Sequence, residues 1–252
     1  MEQQQLAERL RTLADRYETP TFLDGDPSWF MHQVTEEKDK ETMGFIASVL
    51  SYGSRRQFMP KIQYLLTASE GEPWQWVRDK AYRDDISDDD SCFYRLYTNR
   101  MMVGMLDALC DMLTDYGTIG QFVRRSSPNG TALEALDALS SFFRSRGIKG
   151  MVPSPASSVA KRPCMYLRWM VRSPSPVDLG LWADFIRKDT LYVPLDTHVI
   201  QMASALNLIT GRTASWRTVV RLSEAMGEVF PGDPARGDFA LFGYGVDADK
   251  AL

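Results

Sequence analysis

The sequence has few of the residues that build metal centres, disulfide frameworks or membrane spans. Its cysteines are Cys92, Cys110 and Cys164, odd in number, widely spaced and without a CxxC pair, and its histidines are His32 and His198. Such a set argues against a disulfide framework, and a cluster held by four thiolates cannot form within the chain. Neither a structural zinc site nor any other metal or cofactor is expected. No run of about eighteen apolar residues occurs, so neither a membrane span nor a membrane partner is expected. The opening Met-Glu-Gln-Gln-Gln-Leu-Ala-Glu-Arg-Leu reads as a polar amphipathic helix rather than a signal sequence, which makes a cytoplasmic location the expectation. Strand signals are scarce too.

What the chain has is length, apolar content and helical periodicity. Its 252 residues are 44% hydrophobic, enough to bury a substantial core. Apolar residues at helical spacing predict helices over 2–17, 36–52, 55–68, 73–79, 93–115, 118–124, 130–146, 157–172, 178–186, 197–209, 215–229 and 234–243. Between them stand breakers such as Asp24-Gly25-Asp26-Pro27, Ser126-Ser127-Pro128-Asn129-Gly130, Ser173-Pro174-Ser175-Pro176 and Pro231-Gly232-Asp233-Pro234. The expected fold class is all-α. Two lobes are expected, one of about 1–120 plus 210–252 and one of about 121–209, with a cleft between them. A monomer is the default.

The formal net charge of −4 hides a strong asymmetry. From 84 to 115, Asp84, Asp85, Asp88, Asp89, Asp90, Asp107, Asp111 and Asp115 face only Arg95 and Arg100. From 121 to 172, Arg124, Arg125, Arg144, Arg146, Lys149, Lys161, Arg162, Arg168 and Arg172 face only Glu134 and Asp137. Such a basic excess can serve as a phosphate-binding stripe, as a solvated face or as the partner of the acids.

Two blocks carry the candidate chemistry. Ser157-Ser158-Val159-Ala160-Lys161-Arg162-Pro163-Cys164 places two serines where they can cap a helix whose first turn holds Lys161, an ammonium set near the positive end of a helix dipole and beside Arg162. Val193-Pro194-Leu195-Asp196-Thr197-His198-Val199 places Asp196 at the N-cap of a periodic stretch, where a carboxylate stays ionised. An amine able to lose its proton and a fixed carboxylate are the parts of an amine-nucleophile site. The same residues also fit a helix cap and a phosphate-facing or solvated charge.

Further along, Leu167-Arg168-Trp169-Met170-Val171-Arg172, Asp178-Leu179-Gly180-Leu181-Trp182, Pro194-Leu195-Asp196-Thr197-His198-Val199 and Asp238-Phe239-Ala240-Leu241-Phe242 complete a pattern. Together with Asp39-Lys40-Glu41, Ser51-Tyr52-Gly53 and Tyr94-Arg95-Leu96-Tyr97 it resembles an uncharacterised bacterial family, of the domain of unknown function 2400 type, in the helix-hairpin-helix DNA glycosylase superfamily. Within that superfamily the chain resembles archaeal 8-oxoguanine DNA glycosylase.

The resemblance implies a DNA N-glycosylase and abasic-site lyase that removes oxidised purine from damaged duplex DNA, with Lys161 as nucleophile and Asp196 as catalytic carboxylate. It makes Cys164, Trp169 and Trp182 candidates for a base pocket. Ser157, Ser158, Arg162, Arg168, Arg172, His198, Arg55 and Arg56 become candidates for DNA contacts, and a bacterial protein of this kind would associate with the nucleoid. One departure stands out. Superfamily hairpins read Leu-Pro-Gly-Val-Gly, whereas Met151-Val152-Pro153-Ser154-Pro155-Ala156-Ser157-Ser158 has neither glycine, leaving serine hydroxyls and a helix N-terminus to hold phosphate. A non-catalytic DNA- or RNA-binding protein on the same fold is one alternative. A helical adaptor binding an acidic protein is another.

Overall fold

A computed structural model describes residues 3–211 and 213–249. The helices are α1 (Gln3–Tyr17), α2 (Glu37–Leu50), α3 (Arg55–Ala68), α4 (Pro73–Arg78), α5 (Tyr82–Asp85), α6 (Asn99–Tyr116), α7 (Ile119–Ser126), α8 (Ala132–Ser145), α9 (Lys161–Val171), α10 (Thr197–Ala205), α11 (Trp216–Val229) and α12 (Gly237–Asp249). Among the described residues the one sheet is an antiparallel hairpin of β1 (Cys92–Tyr94) and β2 (Tyr97–Thr98). The protein is therefore mainly α-helical. No helix of the described residues is long and apolar enough to cross a membrane.

The chain divides into two compact units. One comprises residues 1–22, 129–136 and 153–252, the other 23–128 and 137–152. These bounds differ from the lobes drawn on the sequence: 153–209, whose α10 packs on α12, belongs with α1 and α12, whereas 23–120 forms the other unit, and the chain re-enters the first unit briefly at 129–136.

In the first unit, α1 turns one face inward through Leu10, Leu13 and Ala14, the i, i+3, i+4 spacing of an amphipathic helix. Beyond its end Phe22 meets Phe239 and Phe242 edge to face at 4.8 and 5.0 Å. Helix α9 is the interior element, buried from Pro163 through Val171. A helix buried all round must satisfy its last carbonyls inside the protein. The segment 178–186 does this: Leu179 N–H donates to Trp169 O and Trp182 N–H to Met170 O, both at 2.7 Å. That duty explains why 178–186 is a chain of turns instead of the expected helix. Gly180 makes the close approach possible at φ +67°, since a Cβ there would sit 2.6 Å from the Ser173 Cβ.

In the second unit, α2 is buried from Glu41 to Leu50 and packs against the 3₁₀ turn Pro27–His32 and against α3, α4 and α7. Its two inward carboxylates each hold a helix start. Asp39 Oδ1 accepts from Trp74 N in α4 (2.8 Å), and Glu41 Oε2 accepts from Gly120 N in α7 (2.9 Å), where negative charge complements the helix dipole. The hairpin replaces the front of the helix expected over 93–115. Tyr94 and Tyr97 pack against Tyr52 with ring centroids 4.9 and 5.0 Å away, and Arg95 makes the turn at φ +52°.

Candidate functional site

Lys161 and Asp196 lie in one unit, at the starts of α9 and α10. Ahead of Lys161 the backbone is set by a small relay. Ser158 Oγ donates to Ser154 O and accepts from Ala160 N, both at 3.0 Å, and Ala160 occupies the left-handed region at φ 44°, ψ 34°. A non-glycine residue in that region is strained by roughly 1–2 kcal/mol. Ala160 is nevertheless the N-cap residue, and its carbonyl accepts from Cys164 N (3.0 Å). The expected serine cap is thus displaced upstream: Ser158 braces the turn, Ser157 is exposed, and neither hydroxyl caps the first-turn amides of α9.

Asp196 is the N-cap of α10, as expected, with Oδ1 accepting from Val199 N at 2.9 Å. Its second oxygen, Oδ2, lies 2.9 Å from Lys161 Nζ. Both side chains are about one-third exposed, at 34% and 36%, so the pair reaches solvent. Partial burial works to raise the Asp196 carboxyl, but the Lys161 ammonium, the Val199 amide and the nearby His198 outweigh it and hold it below the usual carboxylate range. His198 is exposed and leans on α12, where a Cβ on Gly245 would collide with its ring. Arg162 is half-buried in the same first turn of α9.

Other candidates are placed differently. Arg168 and Arg172, expected on DNA, are interior residues at 2% and 1% exposure. Arg168 pairs with Asp178 at 3.2 Å and with Asp238. Arg172 pairs with Asp178, with Asp233 at 2.9 Å and with Glu18 at 2.8 Å. Burial opposes the charge on Arg172, yet Asp178, Asp233 and Glu18 outweigh it and push its pKa up. Guanidiniums buried in this way among carboxylates do not face a phosphate at the surface. Cys164, Trp169 and Trp182, expected in a base pocket, are core residues at 2%, 0% and 1% exposure. Burial pushes the Cys164 thiol up, and Trp182 packs edge to face on Tyr166 at 5.3 Å. Arg55 and Arg56 are exposed in the second unit, Arg55 within 3.3 Å of Asp26. Among the described residues no group of three or more His, Cys, Asp or Glu side chains is placed to hold a metal ion.

Glu18, Asp178, Asp233 and Asp238 are the residues that sequence reasoning missed as partners. Arg168 and Arg172 stand four apart and so share a helix face, but nothing local shows that acids 61 and 70 residues further on return to them.

Fold and site together define a mainly helical protein with a solvent-reaching lysine–aspartate ion pair set at two helix starts and a buried arginine–carboxylate cluster at the other end of α9. Residues 26–247 match the family described as "Protein of unknown function (DUF2400)", and the chain belongs to that family. No curated protein and no solved structure matches the chain.

Proposed function

We propose that this protein is a DNA N-glycosylase and abasic-site lyase acting on oxidised purine of the 8-oxoguanine type, on a fold related to the helix-hairpin-helix glycosylases, and that it works in the cytoplasm on chromosomal DNA. The observation that carries the reading is the 2.9 Å approach of Lys161 Nζ to Asp196 Oδ2 at a place open to solvent. The target nucleotide must leave the stack, because C1′ cannot be reached inside the duplex. Lys161 gives up its proton to the departing base, and its lone pair forms a bond to C1′ as the glycosidic C–N bond breaks toward the base. Asp196, ionised at neutral pH, stabilises the positive charge that builds on the sugar. A proton passes from Nζ to O4′ as the C1′–O4′ bond breaks, leaving a protonated imine on Nζ; water then takes a C2′ proton, and the electron pair of that C–H bond expels the 3′-phosphate and nicks the strand. Recognition of the base falls to residues other than Cys164, Trp169 and Trp182.

Borohydride reduction on an 8-oxoguanine duplex tests this. A covalent protein–DNA adduct is expected with the native chain and none with Lys161→Gln. Lys161→Gln retaining full strand nicking would overturn the amine mechanism. Asp196→Asn, which can still cap α10, is expected to slow base release by orders of magnitude.

One observation favours a second reading. Both Asp196 oxygens already have structural partners, Val199 N and Lys161 Nζ, as in a non-catalytic nucleic-acid-binding protein where the pair only staples α9 to α10. Salt-sensitive DNA binding without any adduct is the signature of that reading.

A further inference from the structure

The basic excess seen in the sequence separates into two populations. Arg168 and Arg172 are buried among carboxylates, whereas Arg124, Arg125, Arg144, Arg146 and Lys149 are all exposed and all belong to the second unit. Arg124 and Arg125 close α7, Arg144 lies in the last turn of α8, and Arg146 and Lys149 follow it. An aromatic cluster brings these ends together. Phe122 of α7 meets Phe142 of α8 at 5.0 Å, and Tyr116 at the end of α6 meets Phe122 at 5.0 Å.

Two of the guanidiniums lie over these rings, Arg125 at 5.6 Å from the Tyr116 centroid and Arg146 at 3.6 Å from that of Phe142. Arg146 also shares Asp111 at 3.2 Å. Among the described residues Arg125, Arg144 and Lys149 have no ion pair with a carboxylate. Exposed acids in the neighbouring helices are Asp111 and Asp115 in α6 and Asp137 in α8, fewer than the cations. Cations commonly complement helix C-termini, which accounts for one arginine at each end but not for Arg146 and Lys149 beyond α8. Guanidiniums resting on rings lose little further freedom on binding, and their planar forks match phosphate oxygens.

We propose that this face, formed by the ends of α7 and α8, binds the phosphate backbone of duplex DNA without reading its sequence. The proposal does not depend on the chemistry of Lys161. The test is fluorescence-anisotropy titration of the full chain with an undamaged duplex across a salt series, comparing the native protein with Arg125→Gln/Arg144→Gln/Lys149→Gln.

The triple variant should melt at the native temperature. Its affinity at low salt should fall on the order of tenfold or more, and its slope of log K against log salt should become shallower by about two to three. Arg125→Lys/Arg144→Lys should keep the native slope. Borohydride trapping at saturating DNA should be equal in the native and triple-variant chains, so loss of trapping in Lys161→Gln and loss of affinity in the triple variant report separately. Unchanged affinity and slope in a folded triple variant would overturn the proposal, as would no duplex binding by the native chain at low salt or binding confined to RNA.

Discussion

At the scale of single residues, Asp196 does two jobs that substitution can separate. Asparagine can still accept from the Val199 amide, so Asp196→Asn should change stability by only a few tenths of a kcal/mol, whereas Asp196→Ala removes the cap and should cost about 1 kcal/mol. Urea denaturation of both variants checks this, and equal losses would show that the cap is not what Asp196 contributes. The ion pair itself is about one-third exposed, and pairs of that kind add little. Its pH dependence has a definite sign. Because the folded Asp196 carboxyl lies below its ordinary range, its contribution to stability is complete above the range in which an unfolded carboxylate titrates. That contribution is lost as pH falls through the lower folded value. The difference in stability between the native chain and Asp196→Asn should therefore shrink on acidification and be flat from pH 6 to 8. Ser158 offers a second check. Ser158→Ala leaves the buried Ala160 amide without its acceptor, which should cost roughly 1–3 kcal/mol, while Ser158→Thr should restore most of it; a neutral Ser158→Ala would mean that the left-handed turn stands without the relay.

At the scale of elements, α9 is a helix buried in the first unit from Pro163 through Val171. Its two arginines are stable inside because carboxylates from four places in the chain meet them: Glu18, Asp178, Asp233 and Asp238. Arg172→Met keeps the volume but takes one cation from Asp178, Asp233 and Glu18, leaving them Arg168, Lys188 and Arg236, and breaking a buried cluster in this way should cost about 3–5 kcal/mol. Thermal or urea melting measures it. DNA affinity of the fraction that remains folded should be unchanged, since Arg172 faces the interior.

The same helix shows what sequence could and could not tell. Helical periodicity revealed α1, α2, α3, α4, α7, α8, α10 and α11 to within a few residues of their ends, because each has an apolar stripe that must be buried. It ran Phe93 to Thr98 into α6, since an apolar hairpin of so few residues is indistinguishable by period from a helix front, and Arg95 at φ +52° is not a residue that announces a turn. It read 178–186 as a helix because the turns there answer the carbonyls of α9, a demand made from elsewhere in the chain. That Lys161 and Asp196 each open a helix was legible in their local sequence, whereas their meeting was implied only by the family resemblance, since no local signal shows two helix starts thirty-five residues apart coming together; the burial of Trp169, Trp182 and Cys164 was missed, for apolar spacing describes a core and a pocket wall alike.

At the scale of the whole molecule, the first unit is assembled from segments far apart in sequence, with α1 held mainly by α12. Leu10 on the inward face of α1 is fully buried, and Leu10→Ala should cost about 2–5 kcal/mol. Ending the chain after Val229 should be more selective: α1 amides should lose hydrogen-exchange protection while those of α2, whose main partners α3, α4, α7 and the Pro27–His32 turn lie in the second unit, keep theirs. Equal loss in both helices would show that the two units do not hold their stability separately.

The pairing of α1 with α12 also has a cost in time. Roughly 220 residues separate the end of one from the start of the other, and at about 5–20 residues per second of synthesis α1 waits on the order of ten to forty seconds for its partner to exist. Through that interval Leu10, Leu13 and Ala14 lack the helix that is their main cover. The newborn protein is then a natural client for whatever shields apolar helices near the ribosome, and starving a cell of such protection should harm its yield more than that of a chain whose first helix meets its partner at once.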